Sequence, residues 1–169
     1  VFDIDDVFVL FFVFQRSTRH HMYINDGTGN FTEDAIARGA DVTSTLHQHQ
    51  GYSVSAADYD RDGYLDVYIC EWGIPFSDEN ALHSVLLRNR GAEAPGHFEN
   101  TTARAGLVPS HPNQWSPIYD FCAAWADLDD NGWPDLYVVG DLRTCRMYWN
   151  NGNGTFSEGT AAAGLNLEE

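Results

Sequence analysis

The sequence predicts an all-β fold made of repeated four-stranded antiparallel units. An acidic loop motif occurs twice, short β-rich segments flank both copies, and a Gly-rich turn that ends in phenylalanine occurs three times. The phenylalanines of this turn, Phe31, Phe98 and Phe156, lie about 60 residues apart, which is the length of a β-propeller blade built of short strands. We therefore expect about three blades.

The acidic motif reads D-x-D-x-[DN]-G-x-x-D and occupies residues 58–66 and 127–135. Oxygen side chains at positions 1, 3 and 5 can converge only where the backbone turns sharply, and the glycine at position 6 permits that turn. Position 7 would add its carbonyl oxygen, and position 9 a closing carboxylate. Oxygen ligands without histidine or cysteine favour Ca²⁺, so two calcium sites are predicted. The predicted ligands are Asp58, Asp60, Asp62, Tyr64 and Asp66 in the first loop and Asp127, Asp129, Asn131, Trp133 and Asp135 in the second.

The motif shares its first half with an EF-hand, but its context differs. An EF-hand requires a glutamate at position 12 between two helices, whereas position 12 is Ile69 in one loop and Val138 in the other. The flanking segments are β-rich, so each loop is expected to join two strands of a hairpin. The alternative is an Asp/Gly-rich turn that only hydrogen-bonds its own backbone, although its carboxylates would repel one another without a cation.

The three units are expected to span residues 1–40, 41–107 and 108–167. In each, strand 1 enters the acidic loop, strand 2 leaves it, strand 3 precedes the Asn-Gly turn, and a short strand 4 holds the phenylalanine. The first unit is degenerate, because Val7, Phe8 and Phe11 replace the third ligand, the glycine and the closing aspartate; no calcium is predicted there. The predicted strands are 51–57 and 121–126 (strand 1), 65–70 and 136–140 (strand 2), and 22–24, 85–88 and 146–149 (strand 3).

Together these features resemble the FG-GAP/VCBS repeat, the calcium-loop blade of integrin-type propellers. The acidic loop, the turn Asn-x-Gly-x-Gly-x-Phe at residues 150–156 and the Ala-Gly-Leu at residues 163–165 are most similar in pattern to the cartilage acidic protein and UnbV/ASPIC group. The resemblance implies a β-propeller, commonly of seven blades, that is secreted or on a cell surface and serves binding or adhesion. It places the calcium ligands on the same aspartates and on Asn131. Three blades are too few to close a ring, so we expect a fragment of a longer propeller, or self-association.

The charge balance and hydropathy exclude some partners. With 25 acidic and 9 basic residues and a net charge of −16, the chain is a poor partner for nucleic acid and anionic membranes. The apolar run at residues 7–14 is about 8 residues long, far below the roughly 20 needed to span a bilayer, so it is expected to be a buried strand rather than a membrane span.

The ligands of the two acidic loops also indicate where the protein is located. Loops that lack the additional glutamate of tight calcium sensors suit the millimolar calcium outside cells, so an extracellular, secreted or cell-surface setting is expected. Sequons at Asn30, Asn100 and Asn153 would then make the protein a glycoprotein. The three cysteines lack zinc-type spacing and allow at most one internal disulfide, with free thiols equally compatible: Cys70, Cys122 and Cys145.

Binding is expected at the end of the blades opposite the calcium loops, where the connections carry Trp72, Phe76 and Trp115. Exposed aromatic side chains beside polar groups often mark such surfaces, so a protein or carbohydrate ligand is predicted; packing of these residues between blades is the alternative.

The sequence shows no catalytic constellation, so the chain is not expected to be an enzyme. Two other functions stay open. One is a scaffold part of a secreted polysaccharide-acting enzyme, for which His47, His49 and Tyr119 are the local candidates. The other is a structural unit that polymerises into fibres.

Overall fold

The all-β prediction is confirmed: the chain forms antiparallel strands in a curled sheet, as in a partial β-propeller. The structure, a computed structural model, describes residues 2–4, 7–12, 15–17, 19–42, 49–74, 83–108, 118–141 and 145–165. For residues 2–4, 7–12, 15–17, 49–50, 73–74 and 118 it describes the backbone alone. No helix in the described part of the chain is long and apolar enough to cross a bilayer.

The first blade contains β1 (Phe2–Ile4), β2 (Val7–Phe12), β3 (Gln15–Ser17), β4 (His21–Asn25) and β5 (Phe31–Glu33), followed by the one-turn helix α1 (Ala35–Arg38). Its sheet has the order β1-β2-β4-β5. The strand predicted at 7–14 is β2, and residues 5, 6, 13 and 14 lie outside the described residues. The degenerate loop predicted to bind no calcium therefore stays a prediction.

The second and third blades are antiparallel meanders in which each strand pairs with the next. The predicted strands of both are present, several with longer bounds than expected. β3 of the first blade pairs with β6, and β10 pairs with β7, so hydrogen bonds join consecutive blades. The second blade contains β6 (His49–Ala57), β7 (Asp66–Ile74), β8 (Val85–Asn89) and β9 (Phe98–Asn100), and the third contains β10 (Ile118–Ala126), β11 (Asp135–Gly140), β12 (Arg146–Asn150) and β13 (Phe156–Glu158).

The hydrophobic core lies between the blades. In β7, Val67 and Ile69 belong to a buried cluster shared with the first blade, whereas Tyr68 and Cys70 belong to one shared with the third blade. A strand that is buried on both faces must be apolar at successive positions. This is why β7 shows an unbroken apolar run after Asp66 rather than a clear alternation.

All three cysteines are free thiols, which was one of the two possibilities left open by the sequence. Cys122 is exposed, whereas Cys70 is buried on the face of β7 that packs against the third blade. Burial raises the pKa of the Cys70 thiol to about 12, because the thiolate would lose its hydration there.

The turns that leave the first and second blades each dock on the last strand of the following blade. Gly39 has φ 68°, and a Cβ on it would lie 2.5 Å from the carbonyl oxygen of Phe98. Gly106 has φ 77°, and its Cβ would lie 3.0 Å from the carbonyl oxygen of Phe156. The Phe156 N–H donates to the Ala105 carbonyl at 2.8 Å. Glycine is required here because the backbone is left-handed and two chains approach closely.

A buried polar network connects the blades at the end opposite the acidic loops. His20 of the first blade pairs with Glu71 of the second. The Ser84 hydroxyl of the second blade donates to Asp120 of the third at 2.6 Å, and Arg146 donates to the same carboxylate at 3.0 Å. Burial raises the pKa of Asp120, while the Arg146 charge acts in the opposite direction. These contacts between side chains of different blades hold the blades in register.

Candidate metal centres

The two acidic loops fold as the motif predicts. The first joins β6 to β7 and the second joins β10 to β11, so each is the turn of a hairpin. In the first loop, carboxylate oxygens of Asp58, Asp60 and Asp66 lie within 4.8 Å of one another. The second loop repeats this arrangement with the same limit at Asp127, Asp129 and Asp135. Positions 1, 3 and 9 therefore converge in both loops.

The first aspartate of each loop also organises the turn. Asp58 accepts hydrogen bonds from the backbone N–H groups of Asp62 at 2.9 Å and Gly63 at 3.0 Å. Asp127 accepts the corresponding bonds at 3.0 and 2.8 Å. The self-bonded turn that the sequence left as an alternative is thus present, and the carboxylates converge in addition to it.

The closing aspartate is fully buried and connects the loop to the third strand of its blade. Asp66 accepts hydrogen bonds from the N–H groups of Tyr59 at 3.1 Å and Asn89 at 2.8 Å. Asp135 accepts the equivalent bonds from Leu128 at 2.9 Å and Asn150 at 2.8 Å. Any ion held by position 9 would therefore also brace strand 3.

The side chains at positions 5 and 7 of each loop are not part of the converging carboxylate groups and make other contacts. Asp62 accepts a bond from Arg88 at 2.7 Å, and Asn131 donates to Asp129 at 3.1 Å. The aromatic rings of position 7 lie against the glycine of the Asn-Gly turn, since a Cβ on Gly152 would be 2.8 Å from the Trp133 indole nitrogen. The predicted metal roles of Asp62, Asn131 and the Tyr64 and Trp133 carbonyls stay predictions.

Arg88 is a site residue that the sequence analysis missed. Its guanidinium pairs with Asp60 and Asp62, so one positive charge already partly neutralises the first loop. The same strand position in the third blade is Trp149, and the second loop has no such arginine among its described neighbours. The sequence does show an arginine immediately before Asn89, where the turn after the third strand begins. Only the folded blade shows that this arginine reaches the carboxylates of Asp60 and Asp62.

The two loops also touch each other across the blade interface. Arg61, at position 4 of the first loop, donates to the Gly132 carbonyl of the second at 3.0 Å and lies 5.4 Å from the centre of the Trp133 ring system. The Asn150 side chain donates to the Tyr59 carbonyl at 3.0 Å. Ordering one loop therefore helps to position the other.

The donor set fits a hard cation. Only oxygen atoms converge in each loop, and the Oδ1 atom of Asp60 is buried without a hydrogen-bond partner in the described part of the chain. A buried carboxylate oxygen without a donor is costly, and a bound cation would satisfy it. The residues present are thus able to hold calcium, with Asp58, Asp60 and Asp66 in one loop and their counterparts in the other.

The burial of Asp66 predicts how stability depends on pH. Burial raises its pKa to about 8, and the negative charge of Asp60 adds to the shift. The folded metal-free chain keeps this proton up to about pH 8, whereas an unfolded aspartate loses it near pH 4. The free energy of unfolding in EDTA should therefore fall as pH rises from about 5 to about 8.

Thermal unfolding in EDTA across this pH range measures the effect, with Asp66→Asn as the matched control. The variant should have a flatter pH dependence because its side chain does not titrate. Calcium should remove much of the fall in the wild-type chain, because the ion favours the charged carboxylate and releases its proton. An identical pH slope in both proteins in EDTA would contradict this assignment.

The aromatic residues at the opposite end pack between the second and third blades. Trp72 contacts Tyr119 at 5.2 Å, Tyr52 at 5.9 Å and Phe121 at 6.1 Å between ring centroids. For Trp72 the structure therefore shows the packing alternative, while Tyr52 stays exposed at its edge. Tyr119 is partly buried in the same cluster. Phe76, Trp115 and His47 lie outside the described residues, as does the His49 side chain.

A comparison with known protein families agrees with this architecture. The chain matches the FG-GAP-like repeat family over residues 4–69 and 127–167. Among solved structures it is similar to an Agrocybe aegerita lectin that recognises non-reducing terminal N-acetylglucosamine, with 18% identity and a TM-score of 0.43. That similarity covers 89% of this chain but 37% of the lectin chain, so this chain spans well under half of its length.

No curated protein matches the chain significantly. The similarity to the cartilage acidic protein and UnbV/ASPIC group stays a prediction. The family match covers more than half of the residues. Its second segment, residues 127–167, runs from the acidic loop to the Ala-Gly-Leu turn. The chain belongs to the FG-GAP-like repeat family.

Proposed function

We propose that this chain is a calcium-braced β-propeller segment that serves binding outside the cell. The observation that carries the proposal is the convergence, in two separate loops, of three carboxylates within 4.8 Å. Like charges brought so close favour a divalent cation among them. The oxygen-only donor set selects calcium rather than zinc or copper.

Calcium would act on the hairpin and on the blade as a whole. Asp127 and Asp129 come from the turn, whereas Asp135 begins β11 and accepts the Asn150 N–H of β12. An ion shared by these three groups ties the turn to two strands. It stabilises the folded state by mass action, because the unfolded chain does not gather the ligands.

The binding role is supported by the surface at the opposite end. Tyr52 is exposed at the edge of the cluster in which Trp72, Tyr119 and Phe121 pack between two blades, so its ring is the aromatic surface offered to a ligand there. Aromatic faces beside polar groups suit a protein or carbohydrate ligand. Calcium at the other end would keep the strands that carry these rings in register.

The extracellular setting is supported by the sequons. Asn30, Asn100 and Asn153 are all exposed, so each is accessible to a glycosyltransferase. The loops also lack the extra glutamate of high-affinity sensors, which suits millimolar calcium.

The test is calcium titration of the wild-type chain and of two substitutions in the second loop. Asp127→Asn removes a converging carboxylate but keeps one acceptor oxygen for the turn. Asp130→Asn is the matched control, since Asp130 lies in the same loop outside the cluster and asparagine tolerates its φ of 59°. Calorimetric titration should detect two ions per wild-type chain and one per Asp127→Asn chain.

Thermal unfolding gives the second readout. Calcium at about 100 times its dissociation constant should stabilise each site by about 2.7 kcal/mol, or about 5–10 °C in a domain of this size. Asp127→Asn should lose about half of the total calcium increment, while its melting temperature in EDTA should change less, because one of the two turn hydrogen bonds is kept. Asp130→Asn should match the wild type in both conditions. Absence of any calcium response in the wild-type chain would refute the proposal.

The position of Arg88 predicts which of the two loops binds calcium more tightly. Because its guanidinium already neutralises part of the first loop, the second loop should bind calcium more tightly. The ion that persists in the Asp127→Asn protein should therefore be the weaker of the two.

A further inference from the structure

The chain contains three Asn-Gly steps, at Asn131, Asn151 and Asn153. Such a step is prone to one covalent reaction, in which the backbone nitrogen of the glycine attacks the side-chain amide carbon of the asparagine. Glycine allows this approach because it has no Cβ to shield its nitrogen. All three asparagines are exposed, so water reaches each of them. Exposure therefore does not distinguish the three positions, but their hydrogen bonds do.

The first difference lies at the attacking nitrogen. The Gly132 N–H donates to the Asp127 carboxylate at 2.8 Å, and the Gly152 N–H donates to the Asn150 side chain at 2.9 Å. The Gly154 N–H has no acceptor in the part of the chain that the structure describes. A nitrogen must lose its proton before it can attack, and an acceptor, above all a carboxylate, holds that proton in place. Of these three nitrogens, that of Gly154 is the one ready to act as a nucleophile.

The second difference lies at the amide that is attacked. The Oδ1 atom of Asn153 accepts two hydrogen bonds from Thr155, one from its N–H at 3.1 Å and one from its hydroxyl at 2.7 Å. Attack on the amide carbon moves negative charge onto this oxygen, and two donors already directed at it stabilise that charge. Among the described residues, the corresponding oxygens of Asn131 and Asn151 accept one such bond each. The amide of Asn153 is therefore the most strongly activated of the three.

The equivalent turn of the first blade shows that this arrangement is not a general feature of the repeat. Thr28 stands there in place of Asn153, so no amide is available. The N–H of Gly29, which corresponds to Gly154, donates to the Asn25 side chain at 3.3 Å. The free nitrogen and the doubly bonded amide oxygen thus occur together in the turn of the third blade.

We propose that Asn153 is a site of self-modification, where the folded turn promotes conversion of the asparagine to aspartate or isoaspartate. The Gly154 nitrogen gives its proton to water or hydroxide and forms a bond to the Asn153 Cγ atom. The bond from Cγ to the side-chain nitrogen then breaks, and that nitrogen takes up a proton and leaves as ammonia. One water opens the resulting five-membered succinimide at either carbonyl, which yields aspartate or isoaspartate.

The reaction consumes water and releases ammonia, and nothing is oxidised or reduced. It does not rest on calcium binding or on the proposed function. A glycan on the Asn153 nitrogen would prevent the loss of ammonia, so glycosylation of this sequon and the self-modification compete for the same atom.

The modification would change the charge of one cavity. Asn153 and Thr155 line a cavity of about 470 Å³ between the second and third blades, and Arg88 and Arg104 line it as well. Either product adds a carboxylate to this cavity, where the two guanidinium groups would attract it. Isoaspartate also lengthens the backbone of the turn, which would disturb the bond of 2.9 Å from the Asn151 N–H to the Thr155 carbonyl.

Incubation of the unglycosylated chain at neutral pH, followed by peptide mass spectrometry, tests the proposal. Each conversion raises the mass of its peptide by the difference between an amide and an acid, and fragmentation of the backbone separates aspartate from isoaspartate. In the folded chain Asn153 should convert at least about tenfold faster than Asn131 and Asn151, which serve as internal controls. In urea the three rates should become similar, because the hydrogen bonds that distinguish the positions are lost.

Two substitutions of Thr155 test whether the hydroxyl activates the amide. Thr155→Val removes the hydroxyl but keeps the N–H and a similar shape, so Asn153 should convert severalfold more slowly. Thr155→Ser is the matched control, because it keeps a hydroxyl at this position and should convert as the wild type does. Circular dichroism and melting curves establish that both variants fold.

Conversion of Asn131 or Asn151 in the folded chain at the rate of Asn153 would overturn the proposal. A folded Thr155→Val chain that converts as fast as the Thr155→Ser chain would overturn it too, since the activating contact would then have no effect.

Discussion

Replacing Gly39 with alanine is expected to lower the free energy of unfolding by about 3 kcal/mol, from left-handed backbone strain and steric overlap together. The overlap is severe because the new Cβ would lie 2.5 Å from the carbonyl oxygen of Phe98, which is backbone and cannot swing aside. The turn after the first blade and β9 of the second would have to separate, which opens the cluster around Met22.

Gly164→Ala is the matched control for this prediction. Gly164 has φ 73°, close to the 68° of Gly39, but a Cβ there meets nothing within 4 Å. It should lose only the backbone component, about 1 kcal/mol. Urea unfolding of both variants separates the two contributions. Equal losses would mean that the close approach of the blades contributes nothing.

Asn150→Ala is the second substitution with a large expected effect, about 3 kcal/mol of lost stability. The buried amide donates to the Tyr59 carbonyl of the second blade at 3.0 Å and to the Pro134 carbonyl at 2.9 Å, and accepts the Gly152 N–H at 2.9 Å. Alanine would remove these partners from the buried Tyr59 carbonyl and from two partly buried backbone groups. It would also remove a direct bond between the third blade and the acidic loop of the second.

The neighbouring Asn151 is the control for this substitution. Its side chain is exposed and, within the part of the chain that the structure describes, bonds only to Thr155 and Ser157, so Asn151→Ala should cost less than about 1 kcal/mol. Denaturant unfolding in EDTA and in calcium measures both variants.

The calcium increment should persist in Asn150→Ala, because the backbone N–H that Asp135 accepts is kept. A loss confined to the calcium condition would instead place Asn150 in metal binding rather than in blade assembly.

The acidic loops and hairpins were predictable because their information is local. Within one motif the ligands span nine positions, and hydrogen bonds such as those from Asn131 and Gly132 to Asp127 close over four or five residues. The alternation of the flanking segments predicted strands on both sides, and β10 and β11 confirm it. The three phenylalanine turns predicted the number of blades because each is a complete local signal.

The same sequence did not predict which groups reach into the loops from elsewhere. Arg88 contacts Asp60 over a separation of 28 residues, and Asn150 reaches Tyr59 over 91. Neither has a pattern of its own, since an arginine before a turn and an asparagine in one are common. Trp72 was a candidate for ligand binding, and only its contacts with Tyr119 and Phe121 showed that it packs between blades.

By itself, then, the sequence determined the repeat, the four-stranded unit and the two loops that gather carboxylates, because each depends on residues close together in the chain. The tertiary structure alone decided which faces are buried. Tyr59 and Leu128 hold the same motif position, yet one is covered by Phe156 and the other is exposed. The difference lies in whether another blade is adjacent, because burial is a property of the neighbours of a side chain and not of its motif.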